Sequence, residues 1–361
     1  MGIDNNFWKN KKIFITGHTG FKGSWLSLWL QSLGADLTGY SLEPNTEPNL
    51  YDVAGVENGM KSIIGDITTY EKLNEAIMSA KPEIVFHMAA QPLVRYSYEN
   101  TIETFSTNVL GTVNLLESIR YLDSVKAVVN ITTDKCYENK EWVWSYRENE
   151  PMGGHDPYSS SKGCAELVPS SFRRSFFSKD TYDLHGVALA SVRAGNVIGG
   201  GDWSEDRLLP DLFKSINNNK SIKIRNPDSV RPWQHVLEPL SGYIQLAQKL
   251  FNDGMKYAEA WNFGPESSDM ISVLDVIKKI DQYISKEVKW EIDSEKNVHE
   301  ANLLMLDISK VKKQLKWKPL MTIDESLKRT AEWEEAFNNK QNMRDFTLNQ
   351  IDRYQALSSS N

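Results

Sequence analysis

Along the first half of the chain, short apolar runs alternate with stretches of helical spacing. Lys12–Thr16 is a β-branched run that stops at Gly17, and Asp36–Ser41, 62–64, 83–87 and Ala127–Ile131 repeat the pattern, with a sixth run at 187–192. Residues 25–33, Tyr70–Ala80, 104–121 and a stretch opening near Tyr158 lie between or beside these runs and carry a helical period. Strands that are apolar on both faces, each followed by a helix, predict a parallel sheet covered on both sides. After Gly199-Gly200-Gly201 the rhythm breaks into helices at 239–251, 274–285 and 324–337 among short strands and loops. The expected architecture is α/β. A doubly wound parallel sheet spans 1–195, and a smaller mixed C-terminal substrate-binding region spans 196–361. That second region is discontinuous, because elements from about 235–275 should pack back on the sheet.

Composition narrows the classes. Of 361 residues 40% are hydrophobic and 25% charged, which suits a sizeable core and argues against disorder. With 41 basic and 48 acidic residues the net charge is −7. That balance argues against a nucleic-acid surface and leaves room for a local basic pocket. No apolar run is long enough to cross a bilayer. Residues 1–7 lack the basic and apolar regions of a secretory signal, and Asn6 stands where a myristoylation pattern needs Ser or Thr. Cys136 and Cys164 are too few for a disulfide framework or a zinc site. The expectation is a cytoplasmic protein with reduced thiols, no membrane contact and no metal.

Two motifs carry chemistry. Gly17-His18-Thr19-Gly20-Phe21-Lys22-Gly23 falls between the first strand and the first helix. Glycines there let a phosphate approach bare backbone N–H groups at the positive end of a helix dipole, which marks a Rossmann-type dinucleotide site in a G-x-x-G-x-x-G variant. Ser41 ends the second strand where an acidic residue commonly grips a ribose, Glu43 lies past the strand's tip, and no arginine cluster awaits a 2′-phosphate, so NAD is favoured over NADP. Asp66, in Gly65-Asp66-Ile67, could reach the adenine or simply close a turn. Tyr158 and Lys162 stand four apart, on one face of a helix. A phenol is a poor base at neutral pH, and an adjacent cation should lower its pKa.

Together these motifs resemble the extended short-chain dehydrogenase/reductase family over essentially the whole chain. The resemblance implies that Ala89, Ala90 and Gln91 run under the nicotinamide ribose and that Asn108 supports the sheet near it. It implies that Gln91, Asn196, Arg207, Arg231 and His299 reach the sugar nucleotide, Arg231 taking its diphosphate. Thr133-Asp134-Lys135 resembles the Thr-Asp-Glu triad of sugar-nucleotide 4,6-dehydratases with Lys in place of Glu. That replacement, with Asn196–Trp203 and Arg231–His235, is similar to the branch acting on CDP-glucose.

In that family Tyr158 is the base on the sugar C4 hydroxyl, Lys162 tunes it and holds the ribose, and Thr133 shares the C4 oxygen. Asp134 protonates the departing C6 oxygen. Lys135 is either a C5 base or a cation that stabilises an enolate. Lys22 could touch cofactor phosphates or face water. A homodimer or homotetramer is implied, as is a role in making deoxysugars for surface polysaccharide such as lipopolysaccharide O-antigen. A 4-epimerase would share Tyr158 and Lys162 but needs no acid/base pair after Thr133. A non-catalytic NAD-sensing scaffold would be expected to have lost Tyr158 or Lys162.

Overall fold

The structure, a computed structural model, describes residues 3–293 and 303–359. Its centre is one parallel sheet of β1 Lys12–Thr16, β2 Asp36–Ser41, β3 Lys61–Ile64, β4 Ile84–His87, β5 Ala127–Ile131, β6 Ala188–Ala194 and β7 Ala260–Phe263. The spatial order is β7-β6-β5-β4-β1-β2-β3. The order reverses between β1 and β4, and in open α/β sheets that reversal opens a crevice at the carboxyl ends of the strands. The doubly wound fold read from the apolar runs is therefore present. β7 carries no strand signal that its own sequence made plain.

Numbering helices of eight residues or more, the chain contains α1 Phe21–Ser32, α2 Tyr70–Ala80, α3 Gly111–Ile119, α4 Pro157–Ser175, α5 Leu208–Asn217, α6 Leu237–Asp253, α7 Val273–Ile280, α8 Ile323–Asn338 and α9 Met343–Ser359. The stretch expected as one helix over 104–121 is instead Thr101–Phe105, a π-helical turn at Ser106–Leu110, and α3.

Strand side chains alternate between two cores, as the period of two requires. Ile13, Ile15, Phe86 and Val129 join one core with Trp25, Trp29, Tyr243 and Trp261 from α1, α6 and β7. Phe14, Val85 and Val128 join the other with Leu73, Leu115 and Phe172 from α2, α3 and α4. A third core gathers Leu209, Leu212, Phe213 and Ile216 of α5, spaced as one helix face, with Ile222, Ile224, Ile277 and Leu327. It forms the body of the lid over the carboxyl edge of the sheet.

The lid is not a simple C-terminal appendage. α6 lies against the sheet, and Gly242 sits so close to β7 that an added Cβ would come within 2.1 Å of Phe263 Cε1. α8 returns to the first core through Trp333, and α9 adds Ile351 and Tyr354. Replacing Gly242 with Ala should overpack this contact. The expected loss is about 1–3 kcal/mol of stability, read as a lower urea midpoint with an unchanged slope.

Candidate active site

The glycine turn is built by crowding. Gly17 has φ +76°, and a Cβ on it would meet Ala89 N at 2.7 Å, so the backbone after β1 and the backbone after β4 touch there. A Cβ on Gly23 would lie 2.0 Å from Gly17 O, which closes the turn onto the first turn of α1. Gly20 caps α1 with no side-chain hydrogen bond, and its open face meets nothing nearer than Gly17 O at 3.5 Å. Bare N–H groups at a helix N-terminus with room before them suit a dinucleotide diphosphate. The residues present therefore fit NAD.

Thr19 Oγ1 lies 2.8 Å from Ser41 Oγ and donates to Leu42 O at 2.9 Å, which ties the turn to the end of β2. Asp66 accepts from Thr68 N at 2.8 Å, an Asx turn just past β3. The side chain of Ile67 is buried in the second core, with Asn114 Nδ2 donating to its carbonyl at 3.0 Å. After β4, Thr16 Oγ1 accepts from Met88 N and Ala89 N at 3.1 and 3.2 Å. Ala90 and Met88 border a cavity of about 330 Å³ at the carboxyl ends of β4, β5 and β6.

Thr133, Asp134, Lys135, Tyr158 and Lys162 all line that cavity, with Lys22, Asn196, Arg207 and Arg231. The first three follow directly from the tip of β5. Tyr158 enters on the first turn of α4, which Asp156 caps through Ser159 N at 2.9 Å, and Ser97 Oγ accepts from Tyr158 N at 3.1 Å. Thr133 Oγ1 donates to Asp134 Oδ1 at 3.0 Å, and Asp134 Oδ2 is buried with no hydrogen-bond partner among the described residues. Burial raises the Asp134 carboxyl above its ordinary range, against the pull of Lys135, Thr133 and Arg231. A carboxyl that tends to keep its proton is suited to donating one.

The electrostatics differ from the expectation for Tyr158. Burial raises the phenol, while the Thr133 hydroxyl and Arg207 are the groups that pull it down and Asp134 raises it further. Lys162 stands one helical turn from Tyr158 on the same face of α4. Its own ammonium is brought down to about 8 by burial, with Glu166 one turn on and Cys136 opposing. Lys22 is lowered further, to about 7, by burial and then by Lys162 and Arg207, with Asp134 opposing. Arg207 pairs with Asp202 at 2.9 Å, and Arg231 Nη1 donates to Val230 O at 3.0 Å.

The side chains of Gln91 and Asn108 are committed to hydrogen bonds away from the cavity. The Gln91 amide is folded onto Leu93 O and Thr104 Oγ1, and Gln91 N donates to Asn108 Oδ1 at 2.9 Å. Asn108 Nδ2 donates to Gln91 O and Ser161 Oγ at 3.1 and 2.8 Å. Both are buried fasteners between the loop after β4 and α4, so they position the site. His299 lies outside the described residues. Sequence reasoning missed Glu166 and Arg193, an ion pair at 2.8 Å directly beneath the site. The signal was available, because Glu166 repeats the four-residue step from Lys162 along α4.

A parallel sheet with this glycine turn and a cavity that holds Tyr158 and Lys162 defines an extended short-chain dehydrogenase/reductase. The chain belongs to the GDP-mannose 4,6 dehydratase family, whose model matches residues 14–330. It is 55% identical over 357 residues to the CDP-glucose 4,6-dehydratase of Salmonella typhimurium, covering 99% of each chain. Among solved structures it is similar to MoeE5 in complex with UDP-glucose and NAD, with TM-score 0.75 and 21% identity over 91% of this chain and 99% of that one. The dTDP-glucose 4,6-dehydratase of Bacillus anthracis in complex with NAD aligns with TM-score 0.72 and 22% identity, over 92% and 98%. These two likenesses show the same fold.

Two measurements test the cofactor end. Gly23→Ala should weaken NAD binding at least about tenfold by fluorescence titration, because the turn must open to accept the methyl. If Lys22 faces the cofactor phosphates, its charge is present below pH about 7 and lost above it. NAD affinity should then decline as pH rises through and beyond that value, since a bound dianion raises the lysine's pKa, and Lys22→Met should flatten the profile.

Proposed function

We propose that the chain is an NAD-dependent hydro-lyase that converts CDP-glucose to CDP-4-dehydro-6-deoxyglucose and water. The end-to-end identity to the Salmonella enzyme carries this reading. The gathering of Thr133, Asp134, Lys135, Tyr158 and Lys162 in one cavity supports it.

The chemistry explains the set. Water cannot leave across C5–C6 while the C5 proton is non-acidic, and that proton becomes acidic when C4 is a ketone. When bound, NAD accepts the hydride from C4 and gives it back at C6, so no oxidant is consumed overall. Tyr158 takes the proton of the C4 hydroxyl, aided by the Thr133 hydroxyl and the Arg207 charge that counter its burial. Lys162 stands on the same face of α4 and holds the nicotinamide ribose. Asp134, its carboxyl biased towards the protonated form, gives a proton to the departing C6 oxygen. Lys135 removes the C5 proton as a neutral amine and returns it after the hydride is restored. Arg231 holds the diphosphate with Asn196 beside it. Ser41 and Asp66, at the ends of β2 and β3, would hold the adenosine half of NAD.

The working assembly is a homodimer or homotetramer. Ile102, Leu110, Tyr121, Leu167 and Phe176 are exposed apolar side chains on the segments around α3 and α4, of the kind that a subunit interface covers. Among the described residues no helix is long and apolar enough to cross a membrane. A charged sugar nucleotide does not diffuse through a bilayer, so the reaction belongs in the cytoplasm where such substrates are made.

Purified protein given CDP-glucose and NAD should yield a 4-keto-6-deoxy product, read by its near-ultraviolet absorbance in alkali and by the mass of one lost water. Absence of that product, or net reduction of NAD, defeats the reading. In solvent D₂O, Lys135→Ala should abolish deuterium incorporation at C5 while single-turnover oxidation at C4 persists. Equal loss of both steps would remove Lys135 from the elimination.

A further inference from the structure

We propose that Asp211 reads the nucleobase, its carboxylate accepting a hydrogen bond from the exocyclic amino group of cytosine. The inference rests on the sugar-nucleotide reading above and assigns a specificity residue to it.

The cavity has two ends of different character. At one end, Thr133 and Tyr158 fix where the reacting sugar carbons lie. Arg231 is close enough to act on the Asp134 carboxyl, and Arg207 on the Tyr158 phenol, so the diphosphate's charge is met just beyond them. From there the cavity continues between the first turn of α5 and the strand Ile222–Ile224. Half-buried Leu208 and Pro210 on the first turn of α5, backed by the core side chains Leu209, Ile222 and Ile224, give this end an aliphatic wall suited to the face of a planar base. Asp211 and Arg225 add one acceptor and one donor at its edge.

Asp211 is the group left uncommitted. Asp206 already takes Arg225 at 3.1 Å and Arg95 at 3.6 Å, whereas the Asp211 carboxylate makes no hydrogen bond or ion pair among the described residues. It is half-buried, and the charges acting on it are Asp206, Arg225, Lys214 and Glu205, with burial the largest influence. A half-buried carboxylate with no protein partner gains most when a ligand supplies the donor. Cytosine supplies one at N4 and offers N3 and O2 as acceptors to a guanidinium, whereas uracil and thymine place a carbonyl at position 4. Carboxylates accepting from the cytosine amino group are a recurrent pairing in base recognition. A site built around such a hydrogen bond rejects the isostere that lacks it more strongly than an apolar pocket could.

The test uses CDP and UDP as probes and reads equilibrium binding by titration calorimetry, so it does not depend on turnover. Wild-type protein should prefer CDP by about tenfold or more, and Asp211→Asn should lose that preference, mainly through weaker CDP binding. An unchanged CDP-to-UDP ratio in Asp211→Asn, or no preference in the wild type, overturns the assignment. Should the variant fail to fold, the wild type alone decides. The carboxyl has a pKa of about 6, so the preference should be full one unit above that value and fade one unit below it. A flat ratio overturns the proposal, and ionisation of the two diphosphates cancels in that ratio. Failure of the dehydratase reading would look different, as absence of 4-keto product from CDP-glucose whatever the CDP-to-UDP ratio.

Discussion

The carboxyl edge of the sheet depends on one buried ion pair. Arg193 on β6 meets Glu166 on α4 at 2.8 Å, with the two side chains 4% and 2% exposed. Burial alone would raise the carboxyl, yet Arg193 and the Thr132 hydroxyl hold it below its ordinary range. The guanidinium also donates to Tyr137 OH at 2.7 Å and to Glu148 O at 3.0 Å, and Tyr137 OH reaches Asn262 Oδ1 on β7 at 2.7 Å. β5, β6, β7, α4 and the loop over 137–148 are thereby fixed to a single pair of charges. Removing one partner of such a pair leaves the other uncompensated, at a cost of about 3–5 kcal/mol. Thr132 is adjacent to Thr133, and Glu166 lies one helical turn from Lys162, so the geometry of the reacting groups is inherited from this pair.

Much of the arrangement above it was legible in the chain. β1 and β5 coincide with apolar runs because strands buried on both faces leave no polar alternation to confuse the reading. The glycine turn was legible because its spacing encodes a steric demand, visible as the overlap of any Cβ on Gly23 with Gly17 O. Tyr158 and Lys162 were legible in their four-residue spacing on a helix, and Thr133, Asp134 and Lys135 in their resemblance to the dehydratase triad at a strand tip. What resisted was tertiary in origin. The Gln91 amide could not be known to fold onto Thr104, and the helix expected over 104–121 breaks at a π-turn that no residue type announces. β7 reads as part of a loop, since Ala260–Phe263 becomes a strand by pairing with β6. Arg225 and Asp211 gain meaning through the lid's packing, which brings α5 beside Ile222–Ile224.

The cavity itself is a field of unequal charges. Burial, Lys162 and Arg207 together disfavour the Lys22 ammonium, while burial pushes Asp134 towards neutrality against the cations beside it. A substrate that brings a diphosphate satisfies the cations without asking the enzyme to supply counter-ions of its own. It also excludes water from the end lined by Tyr158, Asp134 and Lys135, where a low dielectric strengthens the interactions of these groups.

The return of α6 and β7 to the sheet, followed by α8 and α9 against α1, has a mechanical consequence. A lid hung from a single connection can swing freely, but this one is laced into its foundation at several places along the chain. Its several attachments limit how far it can move as one piece. Trp333 resting on Gly200, where a methyl would lie 2.1 Å from the indole, is one of the stitches. A cleft laced in this way holds the side chains at the tip of β5 and on α4 in register with those that α5 and Ile222–Ile224 bring to its other wall.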